Sequence, residues 1–273
     1  MPDRRIVRVL TALAAVGAFL AGCSSTPTAP PAPTASAAPS VQLSPALDHV
    51  HGLHVDATGT ILAGTHNGLM AVDPTGRTQR VGASDDDFMG LTGAAGTDTL
   101  YASGHPGPSS SAPNPLGLRR STDAGLTWVP RSLEGEVDFH ALAADGATVV
   151  GFDGTSGLRI STDGGASWKG GATLAAADLA VVDGQVWAVT SEGVQHSTDT
   201  ARSFTPVPDA PALVLLSGAP GAVWGVDRNG YAWRSRDGRD WQQHSYVGAV
   251  EALAAVDYDR AFAVSNETLH TLR

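Results

Sequence analysis

The strongest constraint on the fold of this 273-residue chain is a short motif that recurs four times at nearly constant spacing. The copies begin 40, 36 and 38 residues apart and read STDAGLTW (121–128), STDGGASW (161–168), STDTARSF (197–204) and SRDGRDW (235–241). Ser and Asp side chains bond backbone amides within turns, glycine supplies unusual backbone angles, and an aromatic residue packs under a neighbouring strand. Each copy therefore predicts a β-hairpin turn, and the regular spacing predicts a repeat architecture.

The motif resembles the Asp-box, which joins the third and fourth strands of a blade in Asp-box β-propellers. The first two copies are complete, whereas the third has Ala201 where glycine is usual and the fourth is one residue shorter. The residues that the resemblance marks as structural are Ser121, Asp123, Gly125, Trp128, Ser161, Asp163, Gly165, Trp168, Ser197, Asp199, Ser235, Asp237 and Trp241.

A second repeat, offset from the first, predicts the innermost strands of the blades. Short apolar strands begin at His51, Met89, His140, Asp178, Leu215 and Glu251. A second apolar strand follows each, at 60–65, 99–104, 148–153, 185–190, 222–227 and 260–265. Six such pairs predict an all-β, six-bladed propeller of about 39 residues per blade. The last blade lacks its fourth strand, and we expect residues 41–47 to supply it. A seven-bladed ring is the alternative, but there is no seventh innermost strand in the sequence.

The N-terminus predicts export and lipid attachment. A short apolar run follows Arg4, Arg5 and Arg8, and it ends in Leu20-Ala21-Gly22-Cys23, where the only cysteine of the chain lies. A charged head, a short apolar run and small residues before a cleavage point are typical of a secretory signal. The segment resembles the lipobox of bacterial lipoproteins, which implies that residues 1–22 are a signal peptide and that Cys23 carries the lipid. The expected location is therefore extracytoplasmic, on the cell membrane.

Composition divides the rest of the chain into a linker and one domain. Residues 24–40 contain only Ser, Thr, Pro and Ala, so we expect Cys23 and this stretch (23–40) to form an extended spacer before a propeller at 41–273. The net charge is −10 and becomes −12 without the signal peptide, which removes three Arg and one Asp. That charge argues against nucleic acid as a partner but permits cations. We expect a monomer.

Propeller geometry places the starts of the innermost strands and the ends of the second strands on one face. Polar or metal-ligating residues fill most of these positions, and four are histidines on three adjacent blades. Imidazoles with a carboxylate suit zinc, and imidazoles with a thioether suit copper. We therefore predict a transition-metal site, copper or zinc, with the ligands His51, His66, His105, His140, Met89 and Asp87, and Asp153 as a further member. The alternative is that each imidazole simply caps a backbone group at the end of a strand.

A third interpretation comes from resemblance. The segments HVHGL (49–53), THNGL (65–69), SGHP (103–106) and VDFHAL (137–142), with the Asp-boxes, resemble bacterial exported Asp-box propellers described as glycosyl-hydrolase-like or exo-α-sialidase-like. The resemblance implies a glycoside hydrolase. A sialidase grips its substrate with three arginines and uses a tyrosine nucleophile, but only Arg228 occupies a predicted site position here. Asp138 and Asp153 are then the candidate catalytic carboxylates.

The remaining interpretation is a non-catalytic module that presents one face to a small ligand, a glycan or a protein. The insertion PGPSSSAPNPLGL (106–118) lengthens the step from blade 2 to blade 3 and adjoins His105. Loops on this face commonly carry binding functions, although insertions are also tolerated without one. Binding is favoured over hydrolysis, with lipid on Cys23 as the membrane contact.

Overall fold

The fold is a six-bladed β-propeller, as the repeat predicted. The computed structural model describes residues 35–273, which form 24 strands in six four-stranded antiparallel sheets. Within this range, no helix is long and apolar enough to span a membrane. The predicted signal peptide, Cys23 and most of the predicted linker lie outside the described residues.

The blades follow the order of the chain, with four consecutive strands in each of the first five. Blade 1 contains β2 (Val50–Val55), β3 (Ile61–Thr65), β4 (Gly68–Val72) and β5 (Thr78–Val81). Blade 2 contains β6 (Asp87–Gly93), β7 (Leu100–His105), β8 (Leu118–Ser121) and β9 (Val129–Ser132). Blade 3 contains β10 (Ala141–Asp145), β11 (Thr148–Phe152), β12 (Leu158–Ser161) and β13 (Lys169–Gly170). Blade 4 contains β14 (Asp178–Val182), β15 (Gln185–Thr190), β16 (Gly193–Ser197) and β17 (Thr205–Pro206). Blade 5 contains β18 (Leu213–Ala219), β19 (Ala222–Asp227), β20 (Tyr231–Ser235) and β21 (Gln242–Tyr246).

Blade 6 joins the two ends of the described chain. It contains β22 (Ala252–Asp257), β23 (Arg260–Val264), β24 (Thr268–Leu272) and, as its fourth strand, β1 (Ser40–Gln42). Ser40 pairs with His270 and Gln42 with Thr268 in the antiparallel register. The innermost strand of each blade contacts those of its two neighbours, and β22 contacts β2, which closes the ring. The prediction that an N-terminal strand completes the last blade is confirmed.

The chain on both sides of β1 also packs against the propeller. Leu43 and Leu47 are buried in the core between blades 6 and 1. On the other side, the amide of Ala38 donates to the carbonyl of Tyr246, and the amide of Thr271 donates to the carbonyl of Pro39. The packed part of the propeller therefore includes residues from the stretch that composition assigned to the linker.

The four copies of the repeated motif form turns between the third and fourth strands of blades 2, 3, 4 and 5, where the repeat predicted hairpin turns. In blade 3 the amide of Gly165 donates to Ser161 Oγ over 2.9 Å, and Ser161 Oγ donates to Asp163 Oδ1 over 2.7 Å. The ring of Trp168 packs 4.9 Å from that of Phe139, between blades 2 and 3. These turns lie at the opposite ends of the strands from the predicted site, so they serve the scaffold.

Candidate metal centre

The six innermost strands enclose a central channel whose mouth carries the histidines. The cavity along this channel has a volume of about 330 Å³, and its lining includes His49, His51, Met89, His140 and Glu251. The rest of its lining is mainly Leu, Val, Ala and Gly. Most of its titratable side chains, including His51, His140 and Glu251, lie at or just before the starts of the innermost strands.

Three histidines of blade 1 meet at the mouth. One ligand nitrogen from each of His49, His51 and His66 lies within 4.8 Å of the other two. His51 Nε2 and His66 Nδ1 are 3.4 Å apart. The ring centroids are 4.6–5.2 Å apart, with His51 roughly perpendicular to both partners. We call these three residues the blade 1 centre.

Local backbone structure positions the blade 1 centre. His49 precedes β2 with a positive φ of 27°, and the ladder between β2 and β3 shifts register between Val50 and Gly52. His66 lies in the turn from β3 to β4, where Thr65 Oγ1 donates to the carbonyl of Gly68. A positive φ is uncommon outside glycine, and such conformations are often found at functional sites.

Two carboxylates from neighbouring blades flank the blade 1 centre. Asp87, in β6 of blade 2, places Oδ2 3.0 Å from His66 Nδ1 and Oδ1 3.6 Å from His51 Nε2. Glu251, which precedes β22 of blade 6, places Oε1 3.4 Å from His49 Nδ1. Its other oxygen accepts the amide of Val50 over 2.9 Å, so this carboxylate also connects blades 6 and 1.

The central imidazole of this group is held neutral. Burial lowers the pKa of His51 to about 4; Asp87 opposes this effect, while the neighbouring His49 and His66 lower the pKa further. A neutral imidazole keeps a lone pair on one ring nitrogen, which is the form that ligates metals. His51 is therefore poised as a ligand at neutral pH.

The other two predicted imidazoles converge on a carboxylate of blade 3. His105, at the end of β7, places Nε2 3.3 Å from Asp138 Oδ2. His140, just before β10, places Nε2 3.1 Å from the same oxygen. Burial raises the pKa of Asp138, and its two imidazole neighbours oppose that rise. We call these three residues the blade 2/3 centre.

The predicted ligands thus fall into two groups rather than one. The structure brings His51, His66 and Asp87 together, and it brings His105 and His140 together through Asp138. Met89 lines the central cavity. Sequence reasoning left His49 out of the ligand set, although the spacing of His49 and His51 was the available signal.

Asp153, the second candidate catalytic carboxylate, stabilises its own turn. Asp153 accepts hydrogen bonds from the backbone and side chains of Thr155 and Ser156, and it lies 3.6 Å from Arg159 Nη2. Burial alone would raise the pKa of Asp153, but these hydrogen bonds hold it well below its usual range. The hydrogen-bond partners of Asp153 thus lie within its own turn, whereas Asp138 contacts imidazoles.

The insertion at 106–118 is anchored at several points beside the mouth. The amide of Gly107 donates to Asp86 Oδ1 over 2.9 Å, and Ser109 Oγ donates to Asp85 Oδ1 over 2.6 Å. Asn114 Oδ1 lies 2.8 Å from His105 Nδ1, and Leu116 is fully buried. The loop therefore packs against blade 2 beside His105.

No protein-family model and no curated protein sequence matches the chain. Several solved structures do resemble the fold of this chain. A gluconolactonase from Xanthomonas campestris superposes with a TM-score of 0.60 at 12% identity, over 88% of this chain and 87% of that one. The protein in a structure of YCF48 bound to D1 peptide gives 0.55 at 14% identity, over 88% and 98%. A GH74 enzyme from Niastella koreensis gives 0.55 at 14%, over 81% of this chain and 41% of that one. These likenesses show the β-propeller fold.

Proposed function

We propose that this chain binds a transition-metal ion, zinc or copper, at the blade 1 centre, and that it does so outside the cytoplasm while anchored through a lipid on Cys23. The observation that carries the metal proposal is the convergence of three histidine nitrogens within 4.8 Å of one another. An imidazole that only caps a backbone group at the end of a strand does not need to converge with other imidazoles. A cation bound between the three nitrogens would contact all three imidazole rings.

The donor set decides the class of ion. Zinc binds imidazole nitrogen at about 2.0–2.1 Å, so two nitrogens on one tetrahedral ion lie roughly 3.3 Å apart. The 3.4 Å between His51 Nε2 and His66 Nδ1 is close to that distance. Asp87, which approaches both rings, supplies a carboxylate for a fourth position or an outer contact that orients them. Imidazole and carboxylate ligands suit zinc, and imidazole also suits copper.

Metal content tests this proposal. The protein expressed from residue 24 without a His-tag is incubated with Zn²⁺ or Cu²⁺, dialysed, and analysed by mass spectrometry. We expect the His51→Ala/His66→Ala variant to retain one equivalent less than the wild type. His244→Ala is the matched control, because it removes an imidazole from β21, the outermost strand of blade 5, and should leave the metal content unchanged. Equal metal in the wild type and the double variant would contradict the proposal.

The proposed anchor has its own test. Support comes from the lipobox-like segment that ends in Cys23 and from the Pro/Ala-rich stretch after it. In the bacterial host, the wild type should incorporate labelled fatty acid and fractionate with membranes, whereas Cys23→Ser should do neither. A Cys23→Ser protein that still carries the label would exclude acylation at this residue.

Binding of a larger ligand on the same face is the second candidate. The channel mouth is concave, and the anchored 106–118 loop contacts His105 of the blade 2/3 centre. One propeller of similar fold was solved with a peptide bound. A glycan array and a pull-down with envelope proteins, each run with and without added metal, test this candidate. A ligand that binds only the metal-loaded protein would place recognition at the metal centre.

A further inference from the structure

The blade 2/3 centre has the features of a second cation site. Both of its imidazoles approach the same carboxylate oxygen, Asp138 Oδ2, at 3.3 and 3.1 Å. The other oxygen, Asp138 Oδ1, is buried and has no hydrogen-bond partner among the described residues. A buried carboxylate oxygen without a partner is costly, so a group that satisfies it is expected.

The hydrogen bond on the far side of His105 fixes its tautomer. His105 Nδ1 lies 2.8 Å from Asn114 Oδ1, and a bond to a carboxamide oxygen requires the ring proton on Nδ1. In the neutral ring, Nε2 then presents a lone pair to Asp138 Oδ2. Two acceptors facing each other at 3.3 Å repel unless a cation, either a proton or a metal ion, lies between them. Metal-ligating histidines are commonly oriented by such a bond from their other ring nitrogen.

We infer that His105, Asp138 and His140 form a second centre for a divalent transition-metal ion, next to the blade 1 centre. Two imidazole nitrogens and one carboxylate are a familiar zinc ligand set, with a fourth position left for water or a ligand. The imidazoles are reachable from solvent, since their side chains are 44% and 55% exposed, while the carboxylate between them is 13% exposed. An ion can therefore enter and be held against a largely buried negative charge.

Asp87 connects the two centres. Its side chain contacts His51 and His66 of the blade 1 centre, and its backbone lies opposite His105 in the pairing of β6 with β7. Asp87 Oδ1 is, like Asp138 Oδ1, buried without a hydrogen-bond partner within residues 35–273. The mouth of the channel thus carries two neighbouring ligand sets, each with one unsatisfied carboxylate oxygen. This inference extends the proposed metal-binding function to a second set of ligands on the same face, and its test separates the two.

Stoichiometry measured on matched variants tests the second centre. Four proteins are compared: the wild type, His51→Ala/His66→Ala, His105→Ala/His140→Ala, and the variant with all four changes, with His244→Ala as the control. After dialysis against Zn²⁺ alone, we expect two equivalents in the wild type and the control, one in each double variant, and none in the quadruple variant. Circular dichroism and thermal unfolding confirm that each protein is folded.

The number of zinc equivalents retained by the wild type and the variants tests each centre separately. One equivalent in the wild type that only His51→Ala/His66→Ala removes would overturn the second centre and leave the first. One equivalent that only His105→Ala/His140→Ala removes would do the reverse. No retained zinc would overturn both.

Asp138→Asn provides a second, milder variant, because it keeps the shape of the side chain and removes its charge. We expect it to weaken one of the two equivalents at least tenfold in a calorimetric zinc titration, with the other unchanged. Unaltered affinity at both equivalents in this variant would mean that the two imidazoles only hydrogen-bond the carboxylate.

Discussion

At the scale of single residues, the channel wall contains a carboxyl group whose charge depends on the fold. Asp178, at the start of β14, accepts the amide of Leu179 over 2.8 Å and the amide of Leu216 of blade 5 over 2.7 Å. Burial raises its pKa to about 7, and these two hydrogen bonds oppose the rise. Asp178 thus links blades 4 and 5 and retains its proton at a pH where most carboxyl groups have lost theirs.

This raised pKa predicts that Asp178 makes stability fall as pH rises. The unfolded carboxyl group titrates near 3.8 and the folded one near 7, so the native state binds more protons between these values. The wild type should therefore lose stability relative to Asp178→Asn from about pH 4 to pH 7, and no further above that. Between pH 5 and pH 8 we expect a difference on the order of 2–3 kcal/mol, because each pH unit below the folded pKa of about 7 contributes about 1.4 kcal/mol. Urea unfolding of both proteins at pH 5 and pH 8 measures it, and parallel pH profiles would contradict the assignment.

At the scale of elements, the motif turn of blade 3 shows why its fifth residue is glycine. Gly165 has φ +79°, and a Cβ at this position would lie 2.0 Å from Leu118 Cδ2 of blade 2. The third box has Ala201 at the matching position, also with a positive φ, and its amide donates to Ser197 Oγ over 2.9 Å. The turn therefore also forms with alanine at this position, with the same hydrogen bond from its amide to the serine.

A pair of substitutions separates backbone strain from steric overlap. Gly154→Ala places a Cβ where no atom lies within 4 Å, although φ is +83°. This variant should lose roughly 1–2 kcal/mol, the cost of an L-residue in the left-handed region. Gly165→Ala carries the same cost and must also displace the fully buried Leu118, so we expect a total of roughly 3–4 kcal/mol. Chemical denaturation of both variants gives the two values, and equal losses would show that the overlap relaxes without cost.

The elements also show what sequence can predict. The predicted innermost strands begin within two residues of the observed ones, because apolar alternation and turn chemistry are local signals. These local signals could not predict which histidines lie together in space. His49 has a positive φ where it approaches His66, and Asp138 of blade 3 contacts His105 of the neighbouring blade 2. Contacts across blades depend on how the ring closes, which no short segment encodes.

At the scale of the whole molecule, residues 40–47 hold the ring together. β1 pairs with β24 of blade 6, while the amide of Ser44 donates to the carbonyl of Gly76 of blade 1. The amide of Thr78 donates to the carbonyl of Ser44 over 3.2 Å and Thr78 Oγ1 to that of Pro45 over 2.7 Å, which gives three bonds to blade 1. One short segment therefore bonds to both blades where the ends of the described chain meet. The geometry of the channel mouth depends on it, since Glu251 of blade 6 and His49 of blade 1 meet at this junction.

Removing this segment should open the ring. A protein that begins at residue 48 lacks β1 and the buried Leu43 and Leu47, each of which contributes about 1.5–3 kcal/mol by burial. It also exposes the edge of β24, and an unpaired edge promotes association. We expect its melting temperature to fall by more than about 10 °C and its solutions to aggregate, whereas a protein that begins at residue 35 should match one that begins at residue 24. Calorimetry and light scattering on the three proteins distinguish the outcomes. A monomeric protein from residue 48 with an unchanged melting temperature would mean that the pairs of neighbouring innermost strands close the ring without β1.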